Sequence, residues 1–206
     1  MKSFYRRNLP HILPPGEIIF CTFRLASSLP AEAVFRLQQE QDTLAAQIRR
    51  QYAHDTAALE AVLYQQQKAA FGRMDAVLDA VRYGPAWLRE TFVAQAVTAE
   101  IRRLDEADCV VISYCIMPNH VHLVVQLPPT MPQPFAKLMQ ALKGRSARQA
   151  NLLLQRSGPF WQHESYDHIV RHAAELERII AYVLNNPVKA GLCSSWKEWP
   201  HSYWRP

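Results

Sequence analysis

The sequence has little of what marks a disulfide-rich or membrane protein. Its 206 residues contain four cysteines and no CxxC pair, and three of the cysteines lie in or beside apolar runs, where a reduced thiol behaves as a small hydrophobic group. No apolar stretch reaches membrane-spanning length, and the N-terminal MKSFYRRNLP lacks the apolar core of a signal peptide. We therefore expect a reduced, cytoplasmic protein without membrane spans.

Charge is absent from residues 109–127, CVVISYCIMPNHVHLVVQL, which contain no Asp, Glu, Lys or Arg. Two runs rich in Val, Ile, Tyr and Cys flank a break at Pro118-Asn119, and both runs are typical of strands. Proline presets φ and asparagine tolerates positive φ, so this break suits a tight turn. The pattern predicts a buried β-hairpin.

The second strand of this hairpin carries a His-X-His pair. Side chains alternate along a strand, so His120 and His122 project from one face. Two imidazoles at this spacing can bind a single metal ion. A half-exposed polar face with no ligand is the alternative interpretation.

Glycine and proline are absent from residue 31 to about residue 71, and apolar residues recur there at near-heptad spacing. This predicts one long amphipathic helix or two in series, with a packing role; a coiled-coil dimer contact is the alternative. Further helices are predicted over residues 73–83, 87–104, 135–155 and 173–185, the last ended by Asn186-Pro187. With a first strand at residues 17–25, the order is compatible with an α+β ferredoxin-like sandwich built on an antiparallel sheet. Residues 1–206 would form a single domain, with a helical insertion at about 30–108 that enlarges the first crossover.

The net charge of +5 is unevenly distributed. Residues 31–108 carry nine Lys or Arg against twelve Asp or Glu, so the positive charge lies in the remaining parts. A basic surface there is what a nucleic-acid partner requires, although a solvated basic surface without a partner fits the charge as well.

The segment MPNHVHLVV, with its apolar flanks, resembles the HUH motif of the single-tyrosine transposases, in particular the REP-associated tyrosine transposases of bacteria. Three further motifs follow in the same order: FWQHESYDHIVR at 160–171, YVLNNPVKAGL at 182–192 and WKEWPHSYW at 196–204. Residues 6–26 resemble the opening strand of that family, whereas residues 30–108 carry no recognisable motif. The resemblance implies the same ferredoxin-like fold.

The resemblance also implies a reaction. A divalent metal, Mg²⁺ or Mn²⁺, would polarise a phosphodiester of single-stranded or hairpin DNA in REP-like palindromes, and a tyrosine would attack it to form a covalent 5′-phosphotyrosine. His120 and His122 would be metal ligands; the residues alone are also compatible with Zn²⁺.

Two tyrosines are candidates for the nucleophile. Tyr182 and Asn186 are four residues apart near the end of a predicted helix and can share one face, whereas Tyr166 lies outside that helix. In the related transposases the catalytic tyrosine lies on the last core helix, with an amide ligand four residues later. Tyr182 and Asn186 match those positions, and Tyr166 is the alternative.

DNA contacts are predicted from basic, aromatic and imidazole side chains in the motif-bearing parts. The candidates are Arg6, Arg7, Lys137, Lys143, Arg145, Arg148, Trp161, His168 and Arg171, although a buried position fits Trp161 equally well. The protein would act as a monomer or a homodimer.

Other functional classes fit less well. A histidine-triad enzyme needs a third alternating histidine, where this chain has Val124, and a two-histidine phosphoesterase needs a second His-X-Thr/Ser motif. A structural zinc site using Cys115 with the two histidines lacks the usual spacing. The main alternative is a DNA- or RNA-binding module that keeps the fold without cutting.

Overall fold

The computed structural model describes residues 15–106 and 109–206. Its strands are β1 (Ile18–Leu25), β2 (Val110–Ile116), β3 (His120–Gln126), β4 (Trp161–Val170) and β5 (Ser202–Trp204). Its α-helices are α1 (Ala31–Gln51), α2 (Thr56–Asp79), α3 (Thr91–Glu106), α4 (Phe135–Leu153) and α5 (Ala173–Lys189). Two short 3₁₀ turns lie at Trp87–Arg89 and Trp196–Glu198. Within these ranges, every helix is too short or too polar to cross a membrane.

The five strands form one antiparallel sheet in the order β4-β1-β3-β2-β5. The β2–β3 hairpin is present where the uncharged runs predict it, with β3 at the centre of the sheet. The first four strands have the order of a ferredoxin-like sheet, so the predicted α+β sandwich is confirmed.

The two faces of the sheet have separate cores. On one face, apolar side chains of β1 and β3 pack against α3 and α4 around Phe23, Ile101, Leu123 and Leu142. On the other face, Phe20, Val124 and Val183 form a smaller cluster, against which Tyr182 of α5 and Phe71 of α2 pack. The alternation along β3 places His120 and His122 on this second face.

Several helix boundaries differ from prediction, and two of the differences bear on the functional face. The residues from Thr56 to Asp79 form one helix that continues through Gly72, and the break comes earlier, where the Asp55 carboxylate accepts a hydrogen bond from the Ala58 amide at 2.9 Å. Gly72 has no atom close to the position of a side chain, and helical residues flank it on both sides. Its low helix propensity is therefore outweighed by the rest of the helix. At the other end of the chain, α5 continues through Pro187 to Lys189, because burial of Asn186 and Pro187 holds the last turn in place.

Candidate active site

The central strand β3 buries a pair of histidines. His120 and His122 are both 0% exposed, and their Nε2 atoms lie 3.0 Å apart. Nδ1 of His120 donates to Asn119 Oδ1 at 2.7 Å, and the Asn119 amide is oriented in turn by donating from Nδ2 to Leu78 O. This hydrogen bond leaves His120 Nε2 without a proton, in the state that binds a metal.

The second histidine is oriented from the neighbouring strand. Thr22 of β1 pairs with His122 in the sheet register, and its Oγ1 lies 2.8 Å from His122 Nδ1. Burial lowers the pKa of His120 to about 3, and burial with the neighbouring imidazole lowers the pKa of His122 well below its ordinary value. Both rings are therefore neutral at physiological pH and available as ligands.

Helix α2 brings two carboxylates to the same place. Asp75 Oδ1 lies 3.8 Å from His120 Nε2 and 3.6 Å from His122 Nε2, and Asp79 Oδ1 lies 3.7 Å from His120 Nε2. Neither Oδ1 atom has a hydrogen-bond partner, although both are buried. Burial, reinforced by the charge of Asp79, raises the pKa of Asp75 to about 8, and burial also raises the pKa of Asp79.

These four side chains fit a divalent cation. One ligand atom from each of Asp75, Asp79, His120 and His122 can be chosen so that all lie within 4.8 Å of one another. Two imidazole nitrogens with carboxylate oxygens are suitable ligands for Mn²⁺, Mg²⁺ or Zn²⁺. A bound cation would also compensate the buried negative charges and engage the unpartnered oxygens.

Helix α5 delivers the predicted tyrosine and amide to this cluster. Asn186 Nδ2 lies 3.2 Å from His122 Nε2, and Asn186 Oδ1 is buried without a partner. Because the two ends of an amide can be exchanged by rotation, Asn186 can also direct its oxygen toward a cation. The Tyr182 ring centroid lies 5.4 Å from that of His122, and its hydroxyl donates a hydrogen bond to Asp75 Oδ2. The four residues His120, His122, Tyr182 and Asn186 are thus brought together.

The alternative tyrosine lies farther along the same sheet face. Tyr166 of β4 is aligned with Thr22, so one strand separates it from His122. Its ring stacks on Phe71 at a centroid distance of 4.0 Å, and burial raises the pKa of its phenol. It is packed as a core aromatic side chain.

Asp75 and Asp79 were missed by the sequence analysis, which predicted a helix over residues 73–83 and gave it no functional role. The available signal was their spacing in MDAVLDA: two carboxylates four residues apart share a helix face, and here that face also carries Leu78. A carboxylate beside an apolar face is unusual unless it is paired or binds a metal.

Two of the predicted DNA contacts on α4 are engaged within the protein. Lys143 Nζ donates to Gln162 O at 2.7 Å, His163 O at 2.9 Å and Ser165 Oγ at 3.2 Å. Arg145 Nε lies 2.5 Å from Glu100 Oε2 and joins α4 to α3. Helix α4 packs on the sheet face opposite the histidines, so these two side chains stabilise the fold away from the metal cluster.

The prediction that Trp161 stacks on DNA does not fit its position. Its side chain is 8% exposed, packs against Phe23 and donates from Nε1 to Ser146 Oγ at 2.9 Å. A core indole held in this way is not available to a base.

The remaining predicted contacts differ in exposure. The His168 side chain is only 9% exposed and its Nε2 lies 3.2 Å from Glu175 Oε1, so it is engaged within the protein. The Arg171 guanidinium covers the Tyr64 ring at 3.9 Å. Lys137 and Arg148 are exposed on α4. Arg6 and Arg7 lie outside the described residues.

The site does not include Cys115. Among the described residues, the group that could hold a metal consists of the two aspartates and the two histidines, and the Cys115 thiol donates to Met117 Sδ at 3.7 Å. Burial raises its pKa to about 12, which disfavours the thiolate that zinc requires.

Comparison with known proteins agrees with the fold and with the sequence motifs. A model of the family described as "Transposase IS200 like" matches residues 85–186, a segment that includes both histidines, Tyr182 and Asn186 but excludes α2. A protein of Haemophilus influenzae named as a REP-associated tyrosine transposase is 31% identical in an alignment of 100 residues that covers 44% of this chain and 56% of that protein. The alignment therefore spans about half the length of this curated relative.

A solved structure resembles almost the whole chain. It is described as a REP-associated tyrosine transposase bound to a REP hairpin, and the match covers 98% of this chain and 82% of that chain, with a TM-score of 0.51 and 16% identity. At this identity the match supports the fold. The family model over residues 85–186 and the curated relative confirm the resemblance to the IS200-like transposases that the sequence motifs carry.

Proposed function

We propose that this protein is a metal-dependent endonuclease and strand transferase of single-stranded DNA, which cuts hairpin or palindromic DNA through a covalent 5′-phosphotyrosine at Tyr182. The observation that carries the proposal is the convergence of helix α5 and strand β3. The Asn186 amide of α5 lies 3.2 Å from His122 Nε2, and the Tyr182 ring lies 5.4 Å from the His122 ring, beside the buried histidine pair of β3. A phenol beside a set of metal ligands is what phosphodiester transfer to a tyrosine requires.

The chain's own residues would position the reactants. His120, His122 and Asn186 would hold the divalent cation, with Asp75 and Asp79 as further donors in the present arrangement. When bound, the cation supplies Lewis-acid stabilisation of the charge that develops on the phosphate oxygens. Thr22 and Asn119 keep the histidine rings in the ligand orientation.

The bond changes balance without a nucleotide cofactor. The Tyr182 oxygen forms a bond to phosphorus and gives up its proton, while the bond from phosphorus to the 3′ oxygen breaks and that oxygen takes up a proton. Attack of a 3′ hydroxyl on the phosphotyrosine reverses these steps and joins strands. Because α5 carries Tyr182 and Asn186 on one face, a single helix sets the distance between the nucleophile and a metal ligand.

The substrate class is suggested by the structural relative, which is described as bound to a REP hairpin. For this chain we infer an extended DNA surface rather than a small pocket. Exposed cations are available on α4 and after β4, at Lys137, Arg148 and Arg171. Phosphate contacts from such side chains would position a strand without reading its sequence.

The direct test is a cleavage assay with labelled REP-like hairpin DNA and Mn²⁺ or Mg²⁺. A covalent protein–DNA band that requires the metal and disappears in EDTA is the expected result. Peptide mapping of the trapped product should locate the DNA on the peptide containing Tyr182. Binding of the hairpin without any covalent product at any metal concentration would instead favour a non-cleaving DNA-binding module.

A further inference from the structure

We propose that α2 acts as a gate over the active site. In the present position of the helix, Asp75 and Asp79 occupy the space that a DNA phosphate must enter. Helix α2 therefore has to leave this position before DNA is cut. The inference builds on the proposed function and concerns its regulation. The gate lies in the part of the chain that the family model does not match.

One face of α2 lies along the functional face of the sheet. Tyr64 OH is 3.1 Å from His168 Nε2, Phe71 stacks on Tyr166 at 4.0 Å, and Asp75 reaches the two histidines. Successive members of this set, which ends with Asp79, are seven or four residues apart, about two turns or one turn of a helix. They therefore share one face of α2. The helix therefore covers both the histidine pair and the alternative tyrosine.

This position leaves no approach to the histidines. Both rings are 0% exposed and Asn186 is 1% exposed. The Tyr182 hydroxyl is engaged by Asp75. A phosphodiester undergoing attack has to reach the cation and the phenol oxygen at the same time. Here one oxygen of Asp75 lies beside the histidine nitrogens and the other accepts the hydrogen bond from the Tyr182 hydroxyl.

Charge reinforces this exclusion. Ionised by a bound cation, the Asp75 and Asp79 carboxylates would occupy positions on that cation for which a phosphate, of the same sign of charge, has to compete. A DNA strand would have to displace them from the cation positions rather than add to them. The same two side chains can therefore retain the metal and exclude the substrate in the closed position.

Helix α2 buries few of its side chains. Of its 24 residues, only Gln66, Asp75 and Leu78 are buried, whereas the 16-residue α3 buries six. Tyr64 and Lys68 donate to Glu175 Oε1 at 2.7 and 2.8 Å, and the Lys68 side chain is 38% exposed. Water can replace these polar contacts, and the apolar contacts of α2 come mainly from Phe71 and Leu78, so detachment of this one helix costs less than global unfolding.

The first test measures access to the histidines without DNA. Diethyl pyrocarbonate modifies neutral imidazole, and the rate for His120 and His122 in EDTA can be followed by peptide mapping. His163, whose side chain is 82% exposed, gives the modification rate of an accessible imidazole. Removing the Glu175 contact with Lys68→Met should accelerate modification of the buried pair by about threefold or more, since a charge-assisted hydrogen bond is lost.

The matched control is Arg73→Met, which removes one positive charge from an exposed position of the same helix. It should leave the rate at the wild-type value. His201, 7% exposed beside β5, reports global unfolding and should react equally slowly in all three proteins. Equal rates for Lys68→Met and Arg73→Met, or wild-type histidines that react as fast as His163, would overturn the gate.

The second test asks whether DNA opens the gate. Hydrogen exchange of Tyr182→Phe is compared with and without a REP-like hairpin in Mg²⁺, and binding is measured in the same mixtures by fluorescence anisotropy. We expect the amides of α2 to lose protection in the complex while those of β3 keep it. If DNA binds and the α2 amides exchange at the same rate or more slowly, the gate is contradicted. If the hairpin does not bind, the proposed function is contradicted, and the DNA-free test alone decides the gate.

Discussion

The Tyr182 hydroxyl donates a hydrogen bond to Asp75 Oδ2, although the two residues are 107 positions apart in the chain. The contact joins α5, the helix that carries the candidate nucleophile, to α2, one of the helices of the predicted insertion. The other carboxylate oxygen of Asp75 points toward the histidines. The nucleophile and the metal cluster are therefore linked through one side chain that lies outside the family-matched segment.

The two tyrosines should differ when each loses its hydroxyl. Tyr182→Phe should abolish the covalent DNA product and leave hairpin affinity within about twofold, because one oxygen is removed and the ring remains. Tyr166→Phe should keep the product, since that ring is packed on Phe71 away from the cluster. The measurement is the covalent band with labelled hairpin DNA. A product that persists in Tyr182→Phe and is mapped to the Tyr166 peptide would reverse the roles.

Thr22 should matter through His122, which it orients at 2.8 Å. Thr22→Val keeps the shape but removes the hydroxyl, and we expect Mn²⁺ affinity to fall by about tenfold, as for other residues that orient metal-binding histidines. Titration calorimetry of the DNA-free protein measures this. Thr43→Val, at an exposed position of α1, is the control and should bind as wild type does. An unchanged affinity in Thr22→Val would show that the hydroxyl does not position the ring.

Loss of either imidazole should separate cutting from binding. His120→Ala and His122→Ala should each lower metal-dependent cleavage below detection, while hairpin affinity stays within about threefold, because the exposed cations lie elsewhere. Cleavage and fluorescence anisotropy are measured on the same preparations. Full cleavage by either variant, or by the wild type in excess EDTA, would contradict the metal assignment.

The metal-free protein should lose stability as pH rises between about 4 and 8. Asp75 has an ordinary pKa of 3.8, and burial with the charge of Asp79 raises it to about 8 in the folded protein. In this interval the unfolded chain has already released the proton that the folded protein retains, so the free energy of unfolding falls as pH rises and levels off above pH 8. Urea unfolding in EDTA at several pH values measures the slope. Asp75→Asn should flatten it, and an identical slope in that variant would contradict the assignment.

Two cations on α4 should behave differently. Lys143→Met should lower the free energy of unfolding by about 1–3 kcal/mol, because two carbonyls and a hydroxyl lose a charged donor, with no change in the salt dependence of DNA binding. Arg148→Met, at an exposed position, should leave stability unchanged and reduce the salt slope by about 0.7 if it contacts one phosphate of a single strand. Chemical denaturation and anisotropy at several salt concentrations distinguish the two. A reduced salt dependence of DNA binding in Lys143→Met would show that Lys143 contacts DNA.

The sequence by itself determined the relations that local geometry controls. Two histidines two residues apart on a strand must share a face, and a tyrosine and an asparagine four residues apart on a helix must do the same. The uncharged hairpin followed from such short-range patterns, and the ferredoxin-like fold followed from the order of elements along the chain together with a family resemblance that the comparisons confirm.

Only the tertiary structure decided which distant groups meet. Asp75 and Asp79 reach the histidines because α2 packs across the sheet, and no periodicity within α2 predicts where the helix will dock. Lys143 and Trp161 were assigned to DNA from their chemical type, yet packing of α4 against β4 gives them partners inside the protein. The reason is physical: spacing along one element depends on backbone geometry, whereas contacts between elements depend on how all their side chains fill the same space.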